Sequence, residues 1–278
     1  MHGIANDYVY VDCFVQPKPD GAALARAVSP RRTGVGSDGV ILILPSVTAD
    51  CRMEMYNADG SRGEMCGNGI RCVGKYVYER GIAKRNPLRV ETDAGVKTLF
   101  LSINNDDKVD AVTVDMGEPI LDARSIPVAL DRSPVLRYPL RVGNHEVQIT
   151  AVSMGNPHCV LLVPDVATAP VHELGPVLEH HPLFPARVNV EFVAVTSPAE
   201  LQMRVWERGS GETEACGTGA CAAVVAASLL GVTGRKVDVQ LRGGILRIEW
   251  RETDNHVYMT GPAEEVFEGE LLWPRTAY

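Results

Sequence analysis

The chain has 278 residues, 45% of them hydrophobic, with 27 Lys and Arg against 35 Asp and Glu for a formal charge of −8. That is enough apolar material for one large domain or two ordinary ones, and the acidic balance, without a basic tract, argues against nucleic acid or an acidic membrane surface as partner. Seven cysteines without small-domain disulfide spacing, no run of about 18 apolar residues, and an N-terminus unlike a signal or transit peptide lead us to expect free thiols and a cytoplasmic protein.

Runs of β-branched and alternating apolar residues bounded by Gly, Asp, Asn and Pro predict strands at Tyr8 to Val15, Val40 to Leu44, Arg52 to Asn57, Leu88 to Glu91, Val96 to Ile103 and Ala111 to Asp115. A second series follows at Cys159 to Val163, Val188 to Val195, Leu201 to Glu207, Val237 to Leu241, Ile245 to Trp250 and His256 to Met259. Long helices are predicted over Gly67 to Arg80 and Gly217 to Leu230, with shorter ones near Ala22 to Val28 and Val171 to His180. The segment Ala220 to Leu230 is apolar nearly all round, which predicts a helix enclosed on every side.

The two series are one unit written twice. At an offset of 150, Ile4-Ala5-Asn6 falls on Met154-Gly155-Asn156, Tyr8 to Val11 on His158 to Leu161, and Met53, Met55, Tyr56 and Asn57 on Met203, Val205, Trp206 and Glu207. Glu64, Cys66, Gly67 and Gly69 fall on Glu214, Cys216, Gly217 and Gly219, and both long helices end at a glycine, Gly81 and Gly231. The expected fold class is α/β of the α+β type: two pseudo-symmetric domains from an internal duplication, each a mostly antiparallel sheet wrapped around a central helix. The expected halves are 1–117 and 118–262, with the tail 263–278 returning to the first half and a site in the cleft between them.

Each copy opens its long helix with a cysteine. Unpaired backbone N–H groups and the helix dipole at a helix N-terminus stabilise a thiolate, so Cys66 and Cys216 are placed to act as acid and base. Inverting a carbon centre requires one group to take a proton from one face and another to deliver a proton to the other, and two thiols meet that need. Structural zinc is disfavoured, because Cys66 to Cys72 and Cys216 to Cys221 lack the short Cys-x2-Cys spacing; Cys13, Cys51, Cys72, Cys159 and Cys221 read as strand or helix core.

Asn57 to Cys72 and Glu207 to Cys221, together with Gly3 to Tyr8, Gly34 to Gly39, Gly155-Asn-Pro-His158 and Arg187-Val-Asn-Val190, resemble diaminopimelate epimerases over nearly the whole chain. That resemblance implies a cofactor-independent, usually homodimeric amino acid epimerase that interconverts LL- and meso-diaminopimelate in lysine and peptidoglycan precursor biosynthesis. It uses neither pyridoxal phosphate nor metal. It implies Cys66 and Cys216 as catalytic thiols, with Cys66 acting on the LL substrate, and His158 and Glu207 as modulators of their protonation. Asn6, Asn68, Gly67, Gly217 and Thr218 would lie near the α-centre, the helix-start N–H groups facing the α-carboxylate. Asn57, Asn156, Asn189, Glu207 and Arg208 would complete substrate binding, Arg208 pairing the distal carboxylate. Two departures from the family pattern are Ala5, where glycine is common, and Gly39, where some members carry Gln. Racemases of proline, hydroxyproline or histidine type, and a non-catalytic thiol redox or binding protein, are the alternatives.

Overall fold

The computed structural model describes residues 1–272. Its helices are α1 (Gly21–Val28), α2 (Gly67–Glu79), α3 (Val171–Glu179) and α4 (Gly217–Leu229). The strands form one hydrogen-bonded path. From one edge it runs through Tyr138–Val142, His145–Ser153, Pro157–Leu162, Asn189–Ser197, Glu200–Glu207, Lys236–Leu241, Gly244–Trp250 and Val257–Gly261. Val257–Gly261 pairs antiparallel with Val109–Asp115, and the path continues through Gly95–Ile103, Leu88–Thr92, Cys51–Asn57, Gly39–Leu44, Asn6–Asp12 and His2–Gly3.

The register repeats as the sequence does. Tyr8 lies opposite Gly39 and His158 opposite Asn189, both in parallel ladders; Val40 lies opposite Tyr56 and Val190 opposite Trp206, both antiparallel. Each residue of one pair is 150 positions from its equivalent in the other. A second parallel pairing in each half, Cys51 with Val90 and Leu201 with Val239, falls at the same place, and the remaining ladders are antiparallel.

Strand Gly39–Leu44 is a continuous apolar run because both of its faces are covered. Val40, Leu42 and Leu44 pack with Leu24, Ala25 and Val28 of α1, whereas Ile41 and Ile43 face the core that holds α2. At roughly 1.5–3 kcal/mol for each fully buried aliphatic side chain, this burial exceeds the roughly 1–2 kcal/mol per residue needed to order the backbone. Asp20 fixes where α1 starts, its carboxylate accepting the Ala23 N–H at 3.1 Å. In the second copy α3 covers the equivalent strand face, its Leu174 and Leu178 packing with Val190 and Phe192, but starts at Pro170 without a side-chain cap.

One core holds both long helices: Ile41, Met53, Ile70 and Val73 share it with Val193, Leu201, Val224 and Ile248. Every residue of α4 from Gly219 to Ala227 is buried, as its all-round apolar sequence requires. Three details differ from the sequence expectation. The strand expected over Tyr8 to Val15 stops at Asp12, whose carboxylate accepts the Phe14 N–H at 2.8 Å and turns the chain. The hairpin of Tyr138–Val142 and His145–Ser153 was not anticipated; it turns at Gly143, φ 59°. Short strands Arg62–Gly63 and Gly211–Thr213 also go beyond the expected set. After Pro262 the chain meets the first half, where Glu264 exchanges two backbone hydrogen bonds of 2.9 Å with His2 and Arg80 pairs with Glu265 and Glu268. Residues 273–278 of the expected returning tail lie outside the described residues.

Candidate active site

Cys66 and Cys216 are the N-caps of α2 and α4, with near-identical extended backbones of φ −122°, ψ 117° and φ −122°, ψ 110°. Cys66 accepts the Gly69 N–H on its sulfur at 3.3 Å, whereas Cys216 makes no side-chain cap bond and lies 3.5 Å from the Thr218 hydroxyl. The helix starts converge on one side chain. A Cβ at Gly67 would come within 2.8 Å of Met259 Cε, and one at Gly217 within 2.8 Å of Met259 Sδ. Glycine at both first helical positions lets both backbones close on that methionine, so the first-turn N–H groups, which have no partner within their helices, meet in one region. The Asn68 side chain spans the same junction, donating to Ala215 O at 3.3 Å.

Around Cys66, the thiol lies 3.2 Å from Asn6 Oδ1, which also accepts from Asn68 at 3.4 Å. Asn6 is held from behind, donating to Asp38 at 2.7 Å. Asn68 is held by Arg71, a fully buried guanidinium that donates to Asn68 Oδ1 at 2.9 Å and to Pro262 O at 3.1 Å. Ile4 and Ala5, which lead into Asn6, have φ of 48° and 65°, in the left-handed region; the equivalent of Ala5 in the other copy is Gly155, φ 99°. Gly39 has no room for a side chain, since a Cβ there would lie 2.1 Å from Tyr56 O.

Around Cys216 the residues differ in kind. His158 is fully buried, with Nδ1 2.6 Å from Glu191 Oε1 and Nε2 3.1 Å from Asn156 Oδ1. Asn156 donates to Thr218 at 3.2 Å, and Thr218 touches the Cys216 sulfur, so a chain of contacts links the imidazole to the second thiol. Glu207 accepts a short hydrogen bond from Thr213 and lies beside Cys216.

Burial overrides the helix ends in setting thiol acidity. It pushes Cys66 up despite hydrogen bonds from the Gly69 and Asn68 N–H groups and Tyr8. Cys216 goes well above the ordinary thiol value, first through burial and then through the charges of Glu207 and Glu191. Glu207 is itself raised, chiefly by burial. The helix-start N–H groups act in the direction expected from the sequence, and desolvation opposes them with the larger effect.

The residues expected to read the distal end of a substrate are less closely grouped. Asn57 is exposed, opposite Gly39 in register, and donates to Ser61 at 2.9 Å. Asn189 is buried and its amide is committed to the backbone, donating to Pro157 O at 3.0 Å and accepting from the Arg208 N–H at 2.9 Å. Arg208 is exposed and donates to Ala186 O at 3.0 Å. Tyr8, which the repeat sets against His158, lies beside the Cys66 sulfur; Glu191 was not singled out from the sequence. The offset that pairs Glu191 with Ile41 was the available signal.

The fold is one shared with solved racemases and epimerases. Solved structures of similar fold include a probable proline racemase from Agrobacterium radiobacter, TM-score 0.67 at 18% identity, covering 94% of this chain and 84% of that one. A hydroxyproline epimerase from Agrobacterium vitis has a TM-score of 0.65 at 17% identity, covering 94% and 86%. The chain belongs to the diaminopimelate epimerase family, whose sequence profile matches residues 1–121 and 150–266. Relatives named diaminopimelate epimerase include those of Acetivibrio thermocellus, 55% identical over 98% of this chain and 96% of that protein, and Desulfitobacterium hafniense, 56% identical over 98% and 96%. Among the described residues, no helix is long and apolar enough to cross a membrane.

Proposed function

We propose that the protein interconverts LL- and meso-diaminopimelate by passing the α-proton between Cys66 and Cys216. The observation that carries this reading is the convergence of two cysteine-capped helix starts on Met259. One thiolate takes the α-proton and becomes a thiol; the pair left on carbon takes a proton from the opposite thiol, which becomes the thiolate. The enzyme ends each turnover with its protonation reversed and resets by exchange with water. First-turn N–H groups at Gly67, Asn68, Gly217 and Thr218 supply donors for the carboxylate as charge develops on the carbon. His158 and Glu207 adjust thiol protonation, and Asn6 fixes the orientation of Cys66.

Asn57, Asn156, Asn189 and Arg208 bind the distal amino acid centre, Arg208 turning from Ala186 O to the carboxylate. Asn189 acts partly by holding the Arg208 backbone. The halves 1–117 and 118–262 close on the substrate and exclude water from the carbanion. The working form is a cytoplasmic homodimer that needs no cofactor, and its product feeds lysine and peptidoglycan precursor synthesis.

The test is α-proton exchange in deuterated water across diaminopimelate, proline, hydroxyproline and histidine, under reducing conditions. Exchange confined to diaminopimelate is expected. Exchange with proline and none with diaminopimelate would overturn the assignment.

A further inference from the structure

Glu191 is a buried carboxylate that the mechanism above does not use. It is 0% exposed, as is His158, and the two meet at 2.6 Å between Glu191 Oε1 and His158 Nδ1. Glu191 Oε2 has no hydrogen-bond partner among the described residues, although a buried carboxylate oxygen ordinarily finds one. The same carboxylate lies directly under the start of α4: a Cβ at Gly219 would come within 2.8 Å of Oε1 and 3.3 Å of the Cys216 sulfur. The titratable groups facing it are His158 on strand Pro157–Leu162, Glu207 on strand Glu200–Glu207, and Cys216 at the α4 cap; Cys159 feels its charge from the opposite face of the sheet, where it packs with Val190 and Phe192.

The duplication supplies an internal control. The equivalent of Glu191 is Ile41, whose Cδ1 lies under Gly69 as Glu191 lies under Gly219, 2.5 Å from where a Cβ would be. The equivalent of His158 is Tyr8. One copy therefore packs its cysteine helix on an alkyl group, and the other on a carboxylate bound to an imidazole. A bare carboxylate at a fully packed position is strongly unfavourable without compensation. Nothing in the shared scaffold requires one there, since Ile41 fills the same place.

We propose that Glu191 is a positioning residue for epimerisation, anchoring His158 through Nδ1 so that Nε2 is presented to Asn156 and, through Thr218, to Cys216, which makes the two thiol half-sites chemically unequal. An Nδ1–H donated to a carboxylate fixes the orientation of the ring and determines what the other nitrogen can do. No group transfer to Glu191 is involved. This inference rests on the two-thiol reading for its catalytic consequence, but its structural core, a protonated Nδ1 held by Glu191, is independent of any substrate.

The test combines spectroscopy with kinetics. In protein labelled with 15N at histidine, the His158 Nδ1 proton, assigned by its loss in H158N, is expected far downfield and slow to exchange with water, and it should move upfield or vanish in E191Q. In E191Q, kcat should fall roughly 10- to 100-fold, at or below the lower end of general acid–base effects because Glu191 acts only through His158, with KM changed less than about threefold and one limb of the pH–rate profile displaced. E191Q added to H158N should cause no further loss, because Glu191 acts through His158. E191D should recover part of the rate. An unprotonated Nδ1 in the parent protein would overturn the proposal even if E191Q failed to fold. Parent-like kcat and pH profile in folded E191Q, or fully additive effects in the double variant, would overturn it too. Loss of the Nδ1 signal in E191Q with no epimerisation by the parent would refute the two-thiol reading and leave the Glu191–His158 anchor standing.

Discussion

Gly67 and Gly217, 150 positions apart, rest on the same methionine: a Cβ on the first would lie 2.8 Å from Met259 Cε and a Cβ on the second 2.8 Å from its sulfur. Met259 is fully buried and sits on the strand that joins the two halves of the sheet. Met259→Ala should destabilise the protein by about 2–5 kcal/mol, as for a large buried side chain cut to alanine, and should lower kcat more than it raises KM, because both helix starts lose their shared seat. Urea unfolding with paired steady-state kinetics checks this. An unchanged kcat in a folded variant would show that helix convergence does not set proton transfer.

Buried thiols predict alkaline sensitivity. Cys51 and Cys221 are pushed up to about 12 and Cys66, Cys72, Cys159 and Cys216 also move upward, in each case chiefly by burial. A folded-state pKa above the unfolded value means that the unfolded chain ionises first. This stability contribution is therefore complete below about pH 9 and is lost as pH rises towards about 12. Urea midpoints should be level in this respect below pH 9 and fall above it. A double variant C51A/C221A should show a shallower fall; an equally steep fall would remove the thiols as its cause.

Ala5 predicts a stabilising substitution. Its φ of 65° places a Cβ in the left-handed region, which disfavours L-residues by roughly 1–2 kcal/mol. Glycine removes that strain but adds unfolded-chain entropy of roughly 0.5–1 kcal/mol. Ala5→Gly should therefore raise stability by up to about 1 kcal/mol, whereas Ala5→Val should lower it, measured by chemical denaturation. A less stable Ala5→Gly protein would mean that the left-handed turn before Asn6 is not strained.

The duplicated scaffold was legible because the repeat operates on side-chain pattern, and pattern sets register. The offset that matched Cys66 to Cys216 also places Tyr8 opposite Gly39 and His158 opposite Asn189. The hairpin at 138–153 escaped because all but its last three residues would precede residue 1 in the first copy, so the repeat could flag little of it, and Tyr138–Val142 alternates without a strongly apolar face. Glu191 escaped because, within the run Val188 to Val195, one acidic residue reads as a solvent-facing strand position. Only the fold shows that both faces of that strand are covered, α3 on one side and α4 on the other.

Substitution of the two cysteines tests the central claim most directly. Cys66→Ser and Cys216→Ser, made singly and assayed with reductant present, should each fold and each lose epimerisation by at least about 100-fold, the lower range for removing a general acid or base. Either variant turning over at the parent rate would contradict proton transfer between the two helix caps.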